Sequence, residues 1–439
     1  MFFLLVFVIA FICLSNVMFR DNKDIRVMMN LFIVGFSIYS GMGIVLYNIS
    51  NEVLYFIQFI LFSIMFMGVS YLKKDKTTGV LSGTDFVNEH HTLFIYAMSV
   101  IYLITFIYPL ILGRMTVKDL LNVVSVFTDY TATPFSVRVA RRSNMFYTIM
   151  TNQVRNICVP FFYLLLYRFR KKPKRFVFMF LLPVLLKTVA DGYLSRNNIA
   201  VYVAFIFVYL VMEGYLNKKI AIVIAVVSIP MGLSILNLLA AVRTGGSFEF
   251  SINTIGKNIS ALIDSECSYP IYYNACDSMF DLRKTFSFFI YIFLVIVPSQ
   301  FYSFIGLSVP NLAYSFTETV LGMSYGAQDY YIVLPSVLGE ATILFGKYFA
   351  WIYGGIYALF AMWFLRVLSR NRSLRYLKLY YMLDFFRQFR GGSQYVLSSW
   401  LTTIIPFVLI VHLLSKVTIT FGGKELRFNT LDDIEEIVK

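Results

Sequence analysis

Four arginines and two acids have the types and places that could do chemistry in this chain. They are Arg138, Arg142, Arg196 and Arg243, and Glu266 and Glu340. Arginine always carries its charge and offers a planar fork of donors that fits phosphate oxygens. A carboxylate flanked by apolar residues resists ionisation and suits proton transfer. Glu340 stands in such a setting, in Pro335-Ser336-Val337-Leu338-Gly339-Glu340-Ala341-Thr342-Ile343-Leu344-Phe345-Gly346, just ahead of an apolar run. Glu266 stands in Ser265-Glu266-Cys267-Ser268-Tyr269-Pro270. Each has a plainer reading too. Arg196 and Arg243 can snorkel to headgroups or pair with Asp191 or Glu213, and one or two of Arg138, Arg141 and Arg142 can simply anchor the next helix. Glu340 can sit in a packing salt bridge, and Glu266 can be a solvated surface acid.

Other chemistries are poorly provided for. His90 and His91 fall in a linker and His412 in an apolar run, none at metal-ligand spacing with Cys, Asp or Glu. No phosphate-binding Gly loop, paired-Asp motif or nucleophile elbow is present. The sequence therefore predicts neither metal nor cofactor, and an enzyme here would take a donor that brings its own activation, such as a lipid-linked one. Tyr325, Asp329 and Tyr330 form a candidate sugar-stacking group, although aromatics make up 18% of the chain and weaken any such cluster.

The elements that must hold these residues are membrane helices. Of 439 residues, 59% are hydrophobic and 14% charged, which excludes an ordinary soluble domain. Apolar runs of about 20 residues, enough to cross the hydrocarbon layer, recur throughout. They predict spans at 2–19, 27–47, 53–72, 92–113, 147–167, 176–195, 199–216, 220–242, 285–305, 346–368 and 395–417. The fold expected is all-α and polytopic, with about 10–12 transmembrane helices in a single domain over 1–417. The first run lacks a small-residue cleavage site and reads as a retained helix.

Linkers 20–26, 73–91, 168–175, 217–219 and 369–394 are rich in Lys and Arg, which places them in the cytoplasm and the N-terminus outside. Loops 114–146 and 243–284, and part of 306–345, then face outward, and so do all the candidate residues above. A full crossing at 285–305 would put the basic 369–394 segment on the wrong side. Pro298, Pro310 and Pro335 argue instead for a re-entrant region near 285–345, or for an extra crossing near 328–345. Residues 370–390, where basic residues alternate with Leu374, Leu377, Tyr381, Phe385 and Phe386, predict a helix lying in the cytoplasmic interface. The net charge of +14 follows from such basic clusters beside spans and does not indicate nucleic-acid binding. Cys267 and Cys276 share the outer loop and are either bridged or free. The tail 418–439 is polar and peripheral.

Read together, these features resemble the Wzy-type oligosaccharide repeat-unit polymerases. The resemblance rests on the Ser195-Arg196 turn, on Arg243-Thr244-Gly245-Gly246 entering a large outer loop, on Glu266 followed by Pro270, on Val297-Pro298-Ser299, and most specifically on Pro335 to Gly346. It covers about residues 180–368, and Asn197-Asn198 depart from the small residue that often follows that Arg. The resemblance implies a GT-C-like glycosyltransferase of the bacterial inner membrane with its active face outside. Its substrate would be an undecaprenyl-diphosphate-linked oligosaccharide, polymerised without a metal into O-antigen or capsule. Arg196 and Arg243, assisted by Arg138 or Arg142, would hold the diphosphate, and Glu340 or Glu266 would act as base or orient the acceptor. Membrane lipids, a chain-length regulator and a flippase are the partners implied. Competing readings are a lipid-linked-oligosaccharide flippase or transporter, and an O-antigen ligase or sugar acyltransferase; the last two would want an outer histidine that this chain lacks.

Overall fold

The computed structural model describes residues 2–46, 51–73, 92–111, 145–191, 196–217, 273–294, 311–324, 332–369 and 371–416, with a few short pieces besides. The chain forms two compact units, one from residues 1–92 and 266–439 and one from 93–265. Helices, in chain order, are α1 (Phe2–Met18), α2 (Lys23–Phe36), α3 (Met42–Leu46), α4 (Glu52–Leu72), α5 (Thr92–Ile111), α6 (Met145–Thr148), α7 (Arg155–Arg168), α8 (Pro173–Asp191) and α9 (Arg196–Met212). They continue with α10 (Tyr273–Ser278), α11 (Leu282–Leu294), α12 (Leu312–Leu321), α13 (Ser336–Phe349), α14 (Trp351–Ser369), α15 (Arg375–Gln388) and α16 (Ser393–Lys416). Lys23–Val45, Glu52–Leu72 and Trp351–Ser369 are long and apolar enough to cross a membrane, and Phe3–Met18, Leu93–Tyr108, Val201–Met212 and Val396–Val411 are shorter apolar helices. The molecule is a helical membrane protein. Its polar tail holds a short antiparallel ribbon, Ile419–Phe421 (β1) on Lys424–Leu426 (β2).

In the first unit, α4 and α14 pack side by side and run in the same direction. Gly354 lies where an added Cβ would stand 2.7 Å from the carbonyl oxygen of Phe62. Further along, Tyr357 meets Phe66 with ring centroids 5.9 Å apart, and the Arg366 guanidinium donates to the Lys73 carbonyl at 3.3 Å. A small residue at such a contact lets two apolar helices approach closely, which is how helices associate where lipid removes the hydrophobic drive. One face of α4 (Val53, Ile57, Leu61, Ile64) stays exposed, as a lipid-facing surface would.

α15 runs back along α14. Its first turns reach the basic end of the unit, where Lys378 pairs with Asp24 of α2 at 2.5 Å. Its last residues reach Phe32 and Phe36 of α2, met by Phe389 at 5.4 and 6.3 Å. α16 then turns back again, and Trp400 stacks on Phe364 at 4.2 Å. The pair is a helical hairpin driven into the unit, with its crest at residues 389–392. This corrects the expectation of a helix lying in the interface over 370–390. Leu374, Leu377, Tyr381 and Phe385 are buried, but so are Tyr376, Asp384, Gln388 and Phe389 on the other sides. A helix buried on all of these sides is packed inside the unit, polar residues included. The basic residues sit near its ends, where they reach the rim.

In the region 282–349 the described helices are short. α11, α12 and α13 have 13, 10 and 14 residues, fewer than the roughly 20 a helical crossing takes. α2 leads into a five-residue π-helical turn at Ser37–Gly41, which packs against α4 and α13. The second unit contains α5 to α9, and there too a π turn, Ile149–Val154, precedes α7. Its Glu213 pairs with Lys171 of the basic linker at 3.4 Å.

Candidate functional site

The site that the described residues show is the polar joint where α13 meets the crest of the α15–α16 hairpin. Pro335 is the N-cap of α13, as its fixed φ and missing N–H favour at a helix start. Ser336 follows with φ 57°, a conformation uncommon for any residue with a Cβ. Its N–H donates to the Arg390 carbonyl at 3.1 Å and the Val337 N–H to the Phe389 carbonyl at 3.3 Å. The start of one helix thus satisfies carbonyls at the end of another. Gly391 completes the lock. Its φ is 108°, and an added Cβ would stand 2.5 Å from the Ser336 nitrogen.

One turn on, Gly339 leaves room for Cys276, whose Sγ would lie 3.1 Å from an added Cβ. Cys276 is a buried free thiol, and Cys267 lies outside the described residues. Next comes Glu340, 1% exposed. Its Oε2 accepts the Ser393 backbone N–H at 3.1 Å and the Ser393 hydroxyl. Glu340 therefore caps the N-terminus of α16 from another helix, supplying a negative charge where the dipole favours it. The Ser393 Oγ also meets the Tyr353 hydroxyl at 2.6 Å. Tyr353 stacks on Tyr357 at 6.0 Å, and the Tyr357 hydroxyl donates to Gln388 Oε1. On the other side, Gln394 Oε1 accepts the Leu312 N–H at the start of α12, at 2.9 Å. Within α13, Gly346 at φ 71° interrupts the helical run shortly before α14.

Every distinctive residue of the Pro335–Gly346 stretch thus has a geometric task. The salt-bridge reading of Glu340 does not describe it, because the partners it has are the hydrogen-bond donors of Ser393. Ser393, Gln394, Gln388 and Tyr353 were not legible as site residues in the sequence. Each is an ordinary polar or aromatic residue in a helix, 13 to 54 positions from Glu340, and only the hairpin brings it there.

Of the other candidates, Arg196 is the first residue of α9. Arg138, Arg142, Arg243, Glu266, Tyr325, Asp329 and Tyr330 lie outside the described residues. Among the described residues no group of His, Cys, Asp and Glu is placed to hold a metal ion. The second unit presents a basic residue that the sequence did not single out. Arg155, at the start of α7, donates from Nε to the Thr105 hydroxyl at 3.1 Å and from its guanidinium to the Thr105 carbonyl at 2.9 Å. The same guanidinium lies 3.9 Å over the Phe106 ring. An Arg inside an apolar run was the signal available.

No family model matches the chain, and neither a curated protein nor a solved structure matches it.

Proposed function

We propose that the protein polymerises lipid-diphosphate-linked oligosaccharide repeat units into a surface polysaccharide. In this reading it is a GT-C-like enzyme of about 10–12 spans in a bacterial inner membrane, working at the outer face. The observation that carries the reading is the Pro335–Gly346 stretch. Its resemblance to the repeat-unit polymerases falls on residues that build a closely fitted joint around one buried acid. Arg196 and Arg243, with Arg138 or Arg142, neutralise charge on the leaving diphosphate, an electrostatic role worth a few kcal/mol. Because Glu340 is already engaged as the cap of α16, we assign it to orienting the acceptor side of the site. Glu266 takes the proton from the attacking hydroxyl, a step typically worth about 10²–10⁴-fold. No metal enters this scheme, and undecaprenyl diphosphate leaves as the bond to the growing chain passes to the acceptor oxygen. A flippase that delivers the repeat unit and a chain-length regulator are the partners it calls for.

The test is a surface-polysaccharide gel from a strain lacking the gene, complemented with wild type, Arg196→Ala or Arg243→Ala at matched membrane levels. Accumulation of single repeat units in the deletion, restored to a ladder by wild type and by neither variant, is the expected result. A ladder that persists in the deletion overturns the reading.

A second reading has one observation in its favour. Short helices whose ends meet around a buried acid also form the binding sites of transporters, so a lipid-linked-oligosaccharide flippase is the alternative. It predicts that the deletion loses single-unit capping as well as the ladder.

A further inference from the structure

The ends of four helices of the first unit meet at one basic rim. Lys378 of α15 and the Ser369 hydroxyl at the end of α14 both reach the Asp24 carboxylate at the start of α2, at 2.5 and 3.3 Å. The Arg366 guanidinium, in the last turn of α14, donates to the carbonyl of Lys73, the C-cap of α4, at 3.3 Å. These contacts bring Lys23 and Arg26 of α2, Lys73, Arg366 and Arg372 to one end of the unit. Among the described residues the acids of this rim are Asp21 and Asp24, and Asp24 is already taken by Lys378 and Ser369. Lys73 is exposed and makes no ion pair among the described residues.

Basic residues beside spans orient a membrane protein, and at this rim what adjoins them also selects a ligand. α4 and α14 are both long and apolar enough to cross a membrane. Leu72, next to Lys73, is 80% exposed, and Trp363, three residues before Arg366 on α14, is 41% exposed. Residues three apart on a helix are neighbours on its surface. The surface therefore passes from cation to apolar side chain within about one helical turn, roughly 5 Å, on two packed helices. A free phosphate or an acidic peptide makes no use of the apolar half, and a neutral lipid makes none of the cations. A zwitterionic headgroup carries an ammonium of its own that would meet Lys73. A lipid with a net negative headgroup answers both halves. Its phosphate oxygens suit the guanidinium fork and the ammonium, and a tryptophan ring favours the depth at which headgroup gives way to chain.

We propose that this rim binds an anionic phospholipid of the leaflet it faces, with the phosphate on Arg366 and Lys73 and the chains along Leu72 and Trp363. The proposal does not depend on the polymerase reading.

The test uses the full-length protein in a non-ionic detergent. Thermal unfolding is followed against added phosphatidylglycerol, phosphatidylcholine with the same chains, or inorganic phosphate. Wild type is compared with Lys73→Gln, Arg366→Gln and Arg283→Gln. Lys73→Gln keeps the backbone carbonyl that Arg366 uses and decides the matter should Arg366→Gln fail to accumulate. Arg283, exposed at the start of α11, is the control. It lies at the far end of the unit, where neighbouring Thr285 donates to the Leu344 carbonyl near the end of α13. Expected is stabilisation of wild type by phosphatidylglycerol and little by the other two probes. Lys73→Gln and Arg366→Gln should need about fivefold more phosphatidylglycerol for the same effect, the weight of one cation near an anionic membrane surface, and Arg283→Gln should match wild type. Equal stabilisation by phosphatidylcholine, or a wild-type response in Lys73→Gln, overturns the proposal. Stabilisation by inorganic phosphate at the same concentrations overturns it too, because the site would then hold an anion without its chains.

Discussion

Glu340 and Ser393, 53 residues apart in sequence, are joined by two hydrogen bonds, so that a carboxylate from one broken helix caps the start of another. Position 340 therefore carries two separable roles, one in holding the hairpin and one in the proposed chemistry. Glu340→Ala leaves the buried Ser393 N–H and hydroxyl without this acceptor and is expected to cost about 1–3 kcal/mol. Glu340→Gln keeps a carbonyl oxygen for them and should unfold close to wild type. Thermal unfolding beside the polysaccharide gel reads both. Near-normal unfolding of Glu340→Gln with a lost ladder assigns the charge to function, whereas an intact ladder leaves Glu340 as a cap alone.

Gly391 permits the crest to lie on Ser336. Gly391→Ala would have to hold φ 108° and a Cβ 2.5 Å from the Ser336 nitrogen at once. Left-handed backbone in a non-Gly residue costs on the order of 1–3 kcal/mol, and the contact adds to it because the atom met is backbone and cannot swing away. The expected outcome is a lower unfolding temperature and reduced membrane accumulation. Wild-type stability for Gly391→Ala would show that the crest does not rest on α13.

Gly354→Ala tests the α4–α14 contact in the same way. The new methyl would meet the Phe62 carbonyl at 2.7 Å, so the helices must part by a few tenths of an ångström or more along a tightly packed seam. Overpacking of this kind typically costs about 1–3 kcal/mol. Gly68→Ala, on α4 with nothing within 4 Å of the new methyl, is the control and should unfold at least as high as wild type.

Much of the frame was legible in the sequence, because a membrane helix announces itself by length and hydropathy. The runs at 2–19, 53–72, 92–113 and 395–417 coincide with α1, α4, α5 and α16 to within a few residues. Pro335 marked the start of α13, whereas Pro298 and Pro310 lie outside the described residues. The hairpin was not legible, because seven basic residues between 366 and 390 look like a solvated linker when counted and their register is ignored. The site was legible in one residue, Glu340, because an acid in an apolar run is conspicuous. Its partners were hidden because Gln, Ser and Tyr become informative only when burial removes their water.

The depth of α15 is directly measurable. Tyr376→Cys, fully buried in the hairpin, should resist a water-soluble maleimide in native membranes, while Arg372→Cys at the exposed start should react. A helix lying in the interface would bury the face of Leu374, Leu377 and Tyr381 and leave the face of Tyr376 open to the reagent. Labelling of Tyr376→Cys at the rate of Arg372→Cys would restore that arrangement.

Arg155 makes a prediction that separates charge from shape. Its Nε and terminal nitrogen grip one residue, Thr105, through hydroxyl and carbonyl, while its flat face covers Phe106. Lysine keeps the charge but has no fork and no plane, so Arg155→Lys would place an ammonium in the same apolar setting with poorer contacts. Methionine abandons the charge and the cost of its partial desolvation while still covering the Phe106 ring with apolar surface. Arg155→Lys is therefore expected to lower the unfolding temperature more than Arg155→Met, by about 1–2 kcal/mol equivalent. The reverse order would mean that the positive charge itself is required at this position, and would move Arg155 from a packing residue to a candidate for contact with an anionic ligand.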